Sequence, residues 1–310
     1  VLGLAAVPAR AGDEGRIEIA DVPVTLTNPG SYFLSRNVSV FLPDTGDAIE
    51  IQADDVTIDL NGFTVHASSG TFGGSGIYQG ASYRGLRVRN GVVENARGST
   101  GGDRAGIYAK GQGNAVEAVR ADDNDYGIRL GPGGRVEDCV ASSNNCDGIL
   151  VGTDGRIARC AAYGNEADGV QAGNGSMIEA CSAYGNKGVG IRAGSDSGVS
   201  DCTVDDSGQH GIEAGDRSMV KTCVASTSVS NGIDLASASI AEGCTAVSNR
   251  LDGIHADQNA SIRGCVAAHN RSDGIEAGEG SIIESCAALY SLTNGIRARS
   301  SSILRGNLCR

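Results

Sequence analysis

The sequence has no tryptophan, aromatic residues make up only 4% of its 310 residues, and proline occurs 5 times. Large rings therefore contribute little to its core, and the composition suits narrow coils filled by Ile, Val, Ala and Cys. No apolar stretch is long enough to span a membrane. A basic surface is lacking too, because the formal net charge at pH 7 is -12. Nucleic-acid partners require a basic face, so neither a membrane span nor a nucleic-acid partner is expected.

A strict repeat dominates the sequence. Glycine followed by Ile or Val recurs every 21 residues, at Gly106, Gly127, Gly148, Gly169, Gly190, Gly211, Gly232, Gly253, Gly274 and Gly295. Eight of the ten cysteines keep the same step of 21 residues, at Cys139, Cys160, Cys181, Cys202, Cys223, Cys244, Cys265 and Cys286. A period held this strictly predicts that each repeat is one coil of a solenoid.

Each repeat contains three short apolar segments. Polar and apolar residues alternate after the glycine, as in Ile212-Glu213-Ala214, which is typical of a short strand with one buried face. Two further apolar positions lie three residues before and two residues after each repeat cysteine. Because Gly, Asn and Asp separate these segments, we predict a triangular coil of parallel strands that stack at about 4.8 Å.

The repeat form G-I-x-A-x5-I-x2-C-x-A-x2-N resembles that of right-handed parallel β-helix proteins of the pectin-lyase-like superfamily. The resemblance runs from about residue 45 to the end and includes Asp55-Val56-Thr57-Ile58 among the entry coils. It implies an all-β fold, a right-handed parallel β-helix over residues 46–310. Residues 12–45, with Tyr32-Phe33-Leu34, are then expected to form an N-terminal cap. The polysaccharide enzymes of this superfamily work on one long face of the helix.

The two ends suggest processing and truncation. Ala9-Arg10-Ala11 has the small-x-small form of a signal-peptidase site behind a short apolar run, so residues 1–11 are interpreted as the remnant of an export signal. This predicts a secreted or cell-surface protein. At the other end the coil pattern continues to Asn307 and stops without a cap, as expected of a chain truncated at its C-terminus or of a last coil that pairs with a partner.

The repeat cysteines are predicted to be buried, unbridged and free of metal. Neighbours on stacked rungs lie about 4.8 Å apart with parallel Cβ vectors, whereas a disulfide needs Cβ atoms about 3.5 to 4.5 Å apart. The chain also has no C-x2-C pair. Cys146 and Cys309 lie outside the repeat and are expected to be free as well.

A column of Asn and Ser five residues after each repeat cysteine, such as Asn144 and Asn165, is predicted to be structural. Asparagine tolerates the left-handed backbone conformation at a turn, and stacked amides form hydrogen bonds from coil to coil.

The candidate functional residues lie on one outward file, at the second position after each glycine. In its middle, three carboxylates and a histidine follow one another; these are the candidate catalytic residues Glu213, Asp234, His255 and Glu276. Candidate ligand-binding residues flank the file or precede the glycines, at Arg192, His210, Asp252, Asp273 and Arg297.

The chemistry of this patch has several readings. Glycoside hydrolysis needs two carboxyl groups about 5 Å apart for retention or about 6.5 to 9.5 Å apart for inversion. A lyase or epimerase acting on a uronic acid needs a base together with an Arg or Ca²⁺. The signatures of such enzymes are missing, because Gln209 precedes His210-Gly211 where polygalacturonases have G-H-G, and no D-P-H-D or D-P-H-E of alginate epimerases occurs.

We therefore predict an exported β-helix that presents a long face to an extended carbohydrate, with processing of that polysaccharide left open. One alternative is a structural or adhesin-like surface module without catalysis. The other is a pectin-lyase-like glycoside hydrolase, lyase or epimerase. No cofactor is predicted, although the carboxylates of the patch leave Ca²⁺ open. The expected partner is a polysaccharide or cell-surface glycan, and the sequence does not decide whether the protein is an enzyme.

Overall fold

A computed structural model describes residues 15–42, 46–69, 74–97 and 104–310, and these residues form a parallel β-solenoid. The signal-peptide interpretation of residues 1–11 lies outside the described residues. The predicted all-β, right-handed parallel β-helix with coils of about 21 residues is confirmed. The described residues contain no helix long and apolar enough to cross a membrane.

Strands are named in chain order. The first eleven are β1 (Ile17–Ile19), β2 (Val24–Leu26), β3 (Gly30–Leu34), β4 (Val38–Leu42), β5 (Ile49–Ile51), β6 (Val56–Asp59), β7 (Thr64–Ser69), β8 (Ile77–Gln79), β9 (Arg87–Glu94), β10 (Ala105–Ala109) and β11 (Ala115–Asp122).

From there each coil contributes three strands. They are β12 (Tyr126–Leu130), β13 (Arg135–Glu137), β14 (Val140–Ser142), β15 (Ile149–Val151), β16 (Arg156–Ala158), β17 (Ala161–Tyr163), β18 (Val170–Ala172), β19 (Met177–Glu179), β20 (Ser182–Tyr184), β21 (Ile191–Ala193), β22 (Gly198–Ser200), β23 (Thr203–Asp205), β24 (Ile212–Ala214), β25 (Met219–Lys221), β26 (Val224–Ser226), β27 (Ile233–Leu235), β28 (Ile240–Glu242), β29 (Thr245–Val247), β30 (Ile254–Ala256), β31 (Ser261–Arg263), β32 (Val266–Ala268), β33 (Ile275–Ala277), β34 (Ile282–Glu284), β35 (Ala287–Leu289), β36 (Ile296–Ala298), β37 (Ile303–Arg305) and β38 (Leu308–Cys309).

The strands that follow the repeat glycines form a sheet of their own, which we call the glycine sheet. Within the described residues it contains 13 parallel strands, β2, β5, β8, β10, β12, β15, β18, β21, β24, β27, β30, β33 and β36. The remaining strands form the other walls of the solenoid. Each strand pairs with its equivalent one coil away, as when Ile212 of β24 aligns with Ile233 of β27.

The repeat glycine is required by the close approach of neighbouring coils. A Cβ atom added to Gly211 would lie 2.5 Å from the carbonyl oxygen of Gly232 and 2.9 Å from the Ser228 hydroxyl. Both distances are shorter than van der Waals contact allows, so any larger residue would push the coils apart. The isoleucine that follows points inward, and Ile212 is completely buried.

The cysteine column lies inside the solenoid, as predicted. All eight repeat cysteines are buried and free of disulfides, while Cys146 is half-buried and Cys309 is exposed, both also free. Each thiol of the column donates to a backbone carbonyl oxygen. The Cys139 thiol, for example, donates to the carbonyl oxygen of Glu137 at 3.1 Å. The column therefore fills a corner of the coil with small side chains whose polar atoms are satisfied.

The asparagine column is a hydrogen-bonded ladder inside the solenoid. The Asn165 Oδ1 atom accepts from the backbone nitrogen of Asn144 at 3.1 Å and from its Nδ2 at 2.9 Å. The prediction of a left-handed backbone at these asparagines was wrong. The residue before each of them adopts that conformation instead, for example Ser143 with φ 55°. Each amide is buried because it bonds the next coil, so the residue before it adopts the left-handed conformation of the turn.

Residues 15–42, expected to form the cap, contribute the first strands of the solenoid. Strand β1 pairs with β3 through Ile17 and Tyr32, and β4 pairs with β7. The side chains of Tyr32 and Leu34 are buried in the same core as the later coils.

Candidate functional site

Six consecutive strands of the glycine sheet bring the predicted file together. Register places the residues directly beside one another, with Arg192 aligned to Glu213, Glu213 to Asp234, Asp234 to His255, His255 to Glu276 and Glu276 to Arg297. These side chains leave the outer face of strands whose apolar neighbours, Ile on one side and Ala or Leu on the other, point into the core. The strict repeat thus converts a step of 21 residues in sequence into a step of one rung in space.

Asp234 and His255 form a hydrogen-bonded pair at the centre of the file. The Asp234 Oδ1 atom lies 2.9 Å from His255 Nδ1 and accepts from Asn231 Nδ2 at 2.7 Å. His210 Nδ1 approaches the same oxygen to 4.0 Å, too far for a hydrogen bond, and has no hydrogen-bond partner among the described residues. Three side chains therefore converge on one carboxylate oxygen.

The ionisation of this pair follows from its contacts. Burial opposes the ionised form of Asp234, but the bonds from His255 and Asn231 and the charge of His210 outweigh it and lower the pKa of Asp234. The hydrogen bond to Asp234 raises the pKa of His255 against the effect of burial, and the charges of Glu276 and Asp257 act in the same direction. The arrangement favours an Asp carboxylate beside a histidine that gains a proton readily.

Both arginines that flank the pair are held by carboxylates. Arg192 Nε lies 2.6 Å from Asp168 Oδ2, and Arg192 Nη1 lies 2.5 Å from Glu213 Oε1. Arg297 Nε lies 2.7 Å from Asp273 Oδ2, and its Nη2 atom contacts Glu276. Each guanidinium therefore bridges the file and the column of residues that precede the glycines.

Glu276 is much less exposed than the other members of the file. Its exposed fraction is 7%, because the guanidinium groups of Arg297 and Arg299 cover it. It also belongs to the one group of described residues whose arrangement would suit a metal ion, in which carboxylate oxygens of Asp252, Asp273 and Glu276 lie within 4.8 Å of one another. Oxygen donors suit Ca²⁺, but the Arg297 guanidinium already supplies a positive charge to two of these three carboxylates.

The predicted ligand-binding residues Asp252 and Asp273 are engaged in holding the coils together. Asp252 Oδ1 accepts from the backbone nitrogen of Asp273 at 2.8 Å, and Asp273 Oδ1 accepts from that of Asn294 at 3.0 Å. Thr293 Oγ1 adds a bond of 2.5 Å to Asp273. Burial opposes ionisation of Asp273, but the bonds from Thr293 and Asn294 and the charge of Arg297 lower its pKa. Each of these carboxylates belongs to the residue before a repeat glycine and accepts a hydrogen bond from the backbone of the next coil.

Two shallow depressions adjoin the file where its strands end and the turns begin. One has a volume of about 330 Å³ and is lined by residues that include His255, Asp257, Glu276, Glu279 and Arg299. The other has a volume of about 410 Å³ and is lined by residues that include Asn174, Arg192, Glu213, Asp234 and Asp257. Asp257 lines both, so the two depressions adjoin each other beside the file, and together we call them the groove.

Sequence reasoning did not single out Asp257, Glu279 or Asn174, which lie in the turns after the strands. The turn residues vary from coil to coil, so the repeat gives no signal that separates a groove residue from an ordinary turn residue. It also missed the role of Asn231, which differs from its neighbours in the column by donating to Asp234.

Comparison with known proteins supports the architecture. Residues 105–241 match the family model described as a right handed beta helix region. The A-modules of two mannuronan C-5 epimerases from Azotobacter vinelandii are similar in structure. For AlgE6 the TM-score is 0.59 at 15% identity, with 90% of each chain covered. For AlgE4 it is 0.56 at 14% identity, with 89% of this chain and 88% of that chain covered.

The Dettilon tailspike protein is similar as well, with a TM-score of 0.59 at 14% identity. The match covers 94% of this chain but 60% of the tailspike, so this chain spans less than two thirds of that protein. No curated protein sequence matches the chain. The chain therefore has the fold of a right-handed parallel β-helix, as its sequence predicted.

Proposed function

We propose that the outer face of the glycine sheet, from Arg192 to Arg297, binds an extended carbohydrate. The observation that carries this proposal is the pair of adjoining depressions beside the file, where ion pairs and the Asp234–His255 pair follow one another on successive rungs. The four rungs from Glu213 to Glu276 cover about 15 Å at the rung spacing of a parallel sheet, which is the length of a short sugar chain. Carboxylate, amide and imidazole groups in such a row supply the hydrogen bonds that sugar hydroxyls require.

The names of two structural neighbours support this proposal, because a mannuronan C-5 epimerase acts on a polysaccharide. The identities of 15% and 14% restrict that likeness to the fold. The proposal therefore rests on the groove of this chain and not on the names of its structural neighbours.

Binding can be tested with a glycan array followed by calorimetry on the strongest ligand. We expect Asp234→Asn and Glu213→Gln to weaken binding by about tenfold or more, since removing a buried or partly buried polar partner costs about 1 to 3 kcal/mol. Glu117→Gln is the matched control, because Glu117 is exposed on β11, outside the glycine sheet. Binding that responds equally to all three changes, or no binding at all, would favour the structural-module alternative.

Processing of the bound glycan is a second candidate function, favoured by the Asp234–His255 pair. A carboxylate that accepts from Nδ1 fixes the tautomer of the ring and leaves Nε2 as the proton acceptor, so His255 suits the role of general base. Asp234 would then be a positioning residue, since its Oδ1 atom already accepts from His255 and Asn231.

Turnover of any bound glycan by the wild type and by His255→Gln tests this role. An enzyme would lose at least about 100-fold in kcat with binding retained, as is typical for loss of a general base. Unchanged turnover would remove His255 from the reaction, and absence of turnover with binding intact would leave a binding module.

We also propose that the protein is secreted or displayed at a cell surface. Burial of the eight column thiols is consistent with an oxidising compartment, because buried thiols are protected from pairing. Fractionation of the native host with an antibody to the chain would test this, and a cytosolic pool alone would contradict it.

A further inference from the structure

The basic side chains of the groove are already neutralised. Arg192 is held by Asp168 and Glu213, and Arg299 Nη2 lies 3.5 Å from Glu276 Oε1. These two are the only Lys or Arg residues that line either depression among the described residues. An incoming anion would therefore meet only guanidinium groups whose charge is already shared with a carboxylate of the protein.

The acidic side chains of the groove outnumber the basic ones. Five carboxylates line the depressions, namely Glu213, Asp234, Asp257, Glu276 and Glu279. Within the described part of the chain, Asp257 and Glu279 form no ion pair, and the Glu279 carboxylate accepts only from the Ser300 hydroxyl at 3.1 Å. Both face the first depression from successive turns, so their negative charge is available to a ligand lying in it.

Two other basic residues, on or directly after strands of the glycine sheet, lie away from the groove. Lys110 lies 4.8 Å from the centroid of the Tyr108 ring, and the guanidinium of Arg129 lies 4.7 Å from the same centroid. Neither residue lines the groove, and Arg129 is four rungs before Glu213 in the register of the sheet.

We infer that the glycan held by this groove carries free amino groups, as a polymer of hexosamine does, and that polyanionic glycans such as uronate chains are disfavoured. This inference rests on the proposed carbohydrate-binding function and names its substrate class. An ammonium group beside Asp257 or Glu279 gains an ionic partner that the protein leaves unused. A uronate carboxylate in the same place meets like charge, and the nearby cations His255 and Arg299 are already paired with Asp234 and Glu276, which opposes both its approach and its residence.

The inference is tested with three β-1,4-linked hexamers that differ in charge: glucosamine, N-acetylglucosamine and mannuronate. Calorimetry in mildly acidic buffer at low salt gives the Kd of each, and repetition at about 0.5 M salt screens the charges. The test variant is Asp257→Asn with Glu279→Gln. Its matched control is Glu117→Gln with Asp201→Asn, which removes two exposed carboxylates outside the groove.

We expect the glucosamine hexamer to bind most tightly and the mannuronate hexamer most weakly. The test variant should weaken glucosamine binding by roughly two- to tenfold, as expected for two exposed ion pairs, and high salt should have a similar effect. The control variant should leave the order and the affinities unchanged.

Tightest binding of mannuronate, or a preference for glucosamine that the test variant leaves intact, would overturn the inference while the proposed function stands. Failure of all three hexamers and of the glycan array would refute the proposed function and the inference together.

Discussion

At the scale of single residues, the Asp234–His255 pair makes a measurable prediction about pH. Because Asp234 raises the pKa of His255, the pair stabilises the fold fully below the ordinary histidine pKa of about 6.5, and this stabilisation is lost as the pH rises through the folded-state pKa. We expect Asp234→Asn to lower the midpoint of the His255 titration by about one pH unit or more, since the anionic partner is gone while burial remains. Two-dimensional NMR of the ring resonances measures this midpoint.

The control for that titration is Asp196→Asn. Asp196 is an exposed carboxylate whose partner is Arg217, at 2.7 Å, on a turn away from the histidine. It should leave the His255 midpoint in place. An equal shift in both variants would mean that the net charge of the molecule, and not the hydrogen bond, sets the pKa.

A second prediction separates the inward and outward positions of one strand. Ile212 is fully buried, whereas Glu213 beside it on β24 is partly exposed and bonds Arg192. Ile212→Asp should destabilise the fold by more than about 4 kcal/mol, because it places an unpaired carboxylate in the core. Glu213→Ala should cost no more than about 1 kcal/mol. Urea unfolding measures both, and similar losses would contradict the assignment of the two faces.

Asp147 gives a third prediction, which again concerns pH. Burial is the main reason why the pKa of Asp147 is raised to about 6, although the backbone bond from Asp168 opposes the shift. A raised carboxyl pKa stabilises the fold at low pH, and this stabilisation is lost as the pH rises from about 4 to about 6. Asn231 occupies the equivalent position and accepts the same kind of bond, from the backbone nitrogen of Asp252 at 3.1 Å.

Asp147→Asn should therefore stabilise the protein at pH 7 by about 1 to 3 kcal/mol and have little effect near pH 4. Thermal melts across this pH range are the measurement. Neither Asp168→Asn nor Asn231→Asp is a suitable control, because Asp168 bonds Arg192 and Asn231 donates to Asp234. A gain that is the same at both pH values would exclude ionisation as its cause.

At the scale of the strands and columns, the sequence predicted the positions that repeat in every coil. It did not predict the side-chain contacts between columns or the turn residues that line the groove. The inward cysteines and the outward file from Arg192 to Arg297 follow from register alone, because every coil repeats them. The contacts of Arg192 with Asp168 and Glu213 join two different columns, and a one-dimensional pattern does not specify which rotamer connects them. Asp257 lies in a turn whose residues change from coil to coil, so the repeat pattern does not predict that it lines the groove.

The cysteine column also predicts a pattern of chemical reactivity. The eight column thiols are buried, so reagents do not reach them and they should resist alkylation in the folded protein. Cys309 is exposed and should react first, while burial raises the pKa of the half-buried Cys146 and should slow its reaction.

Mass spectrometry after iodoacetamide treatment tests this prediction without reductant. The folded protein should gain label at Cys309 and then at Cys146, and the denatured protein at all ten cysteines. Fewer than ten labels after denaturation would reveal a disulfide. Rapid labelling of the column in the folded protein would indicate that the coils open readily.

At the scale of the whole molecule, the solenoid has stability that is nearly additive over its coils. Each strand from β12 to β35 contacts its equivalents in the two adjacent coils, and hydrogen bonds such as Asn165 to Asn186 repeat the same connection. A molecule built from nearest-neighbour contacts has no distant residue on which a given coil depends. Its length can therefore change by whole coils while the fold is retained.

Deletion of residues 156–176 tests this property, because it removes 21 residues and joins Gly155 to Met177, the equivalent of Arg156. We expect the shortened protein to fold with the same strand content per residue and to lose about 1 to 3 kcal/mol of unfolding free energy, the share of one coil. Deletion of residues 156–166 removes half a coil and places the next coil out of register, so apolar and polar faces exchange places and the protein should fail to fold. Circular dichroism and urea unfolding distinguish the two outcomes. If both deletions folded equally well, the period of the sequence would not be what aligns the coils; if neither folded, the coils would depend on contacts beyond their neighbours.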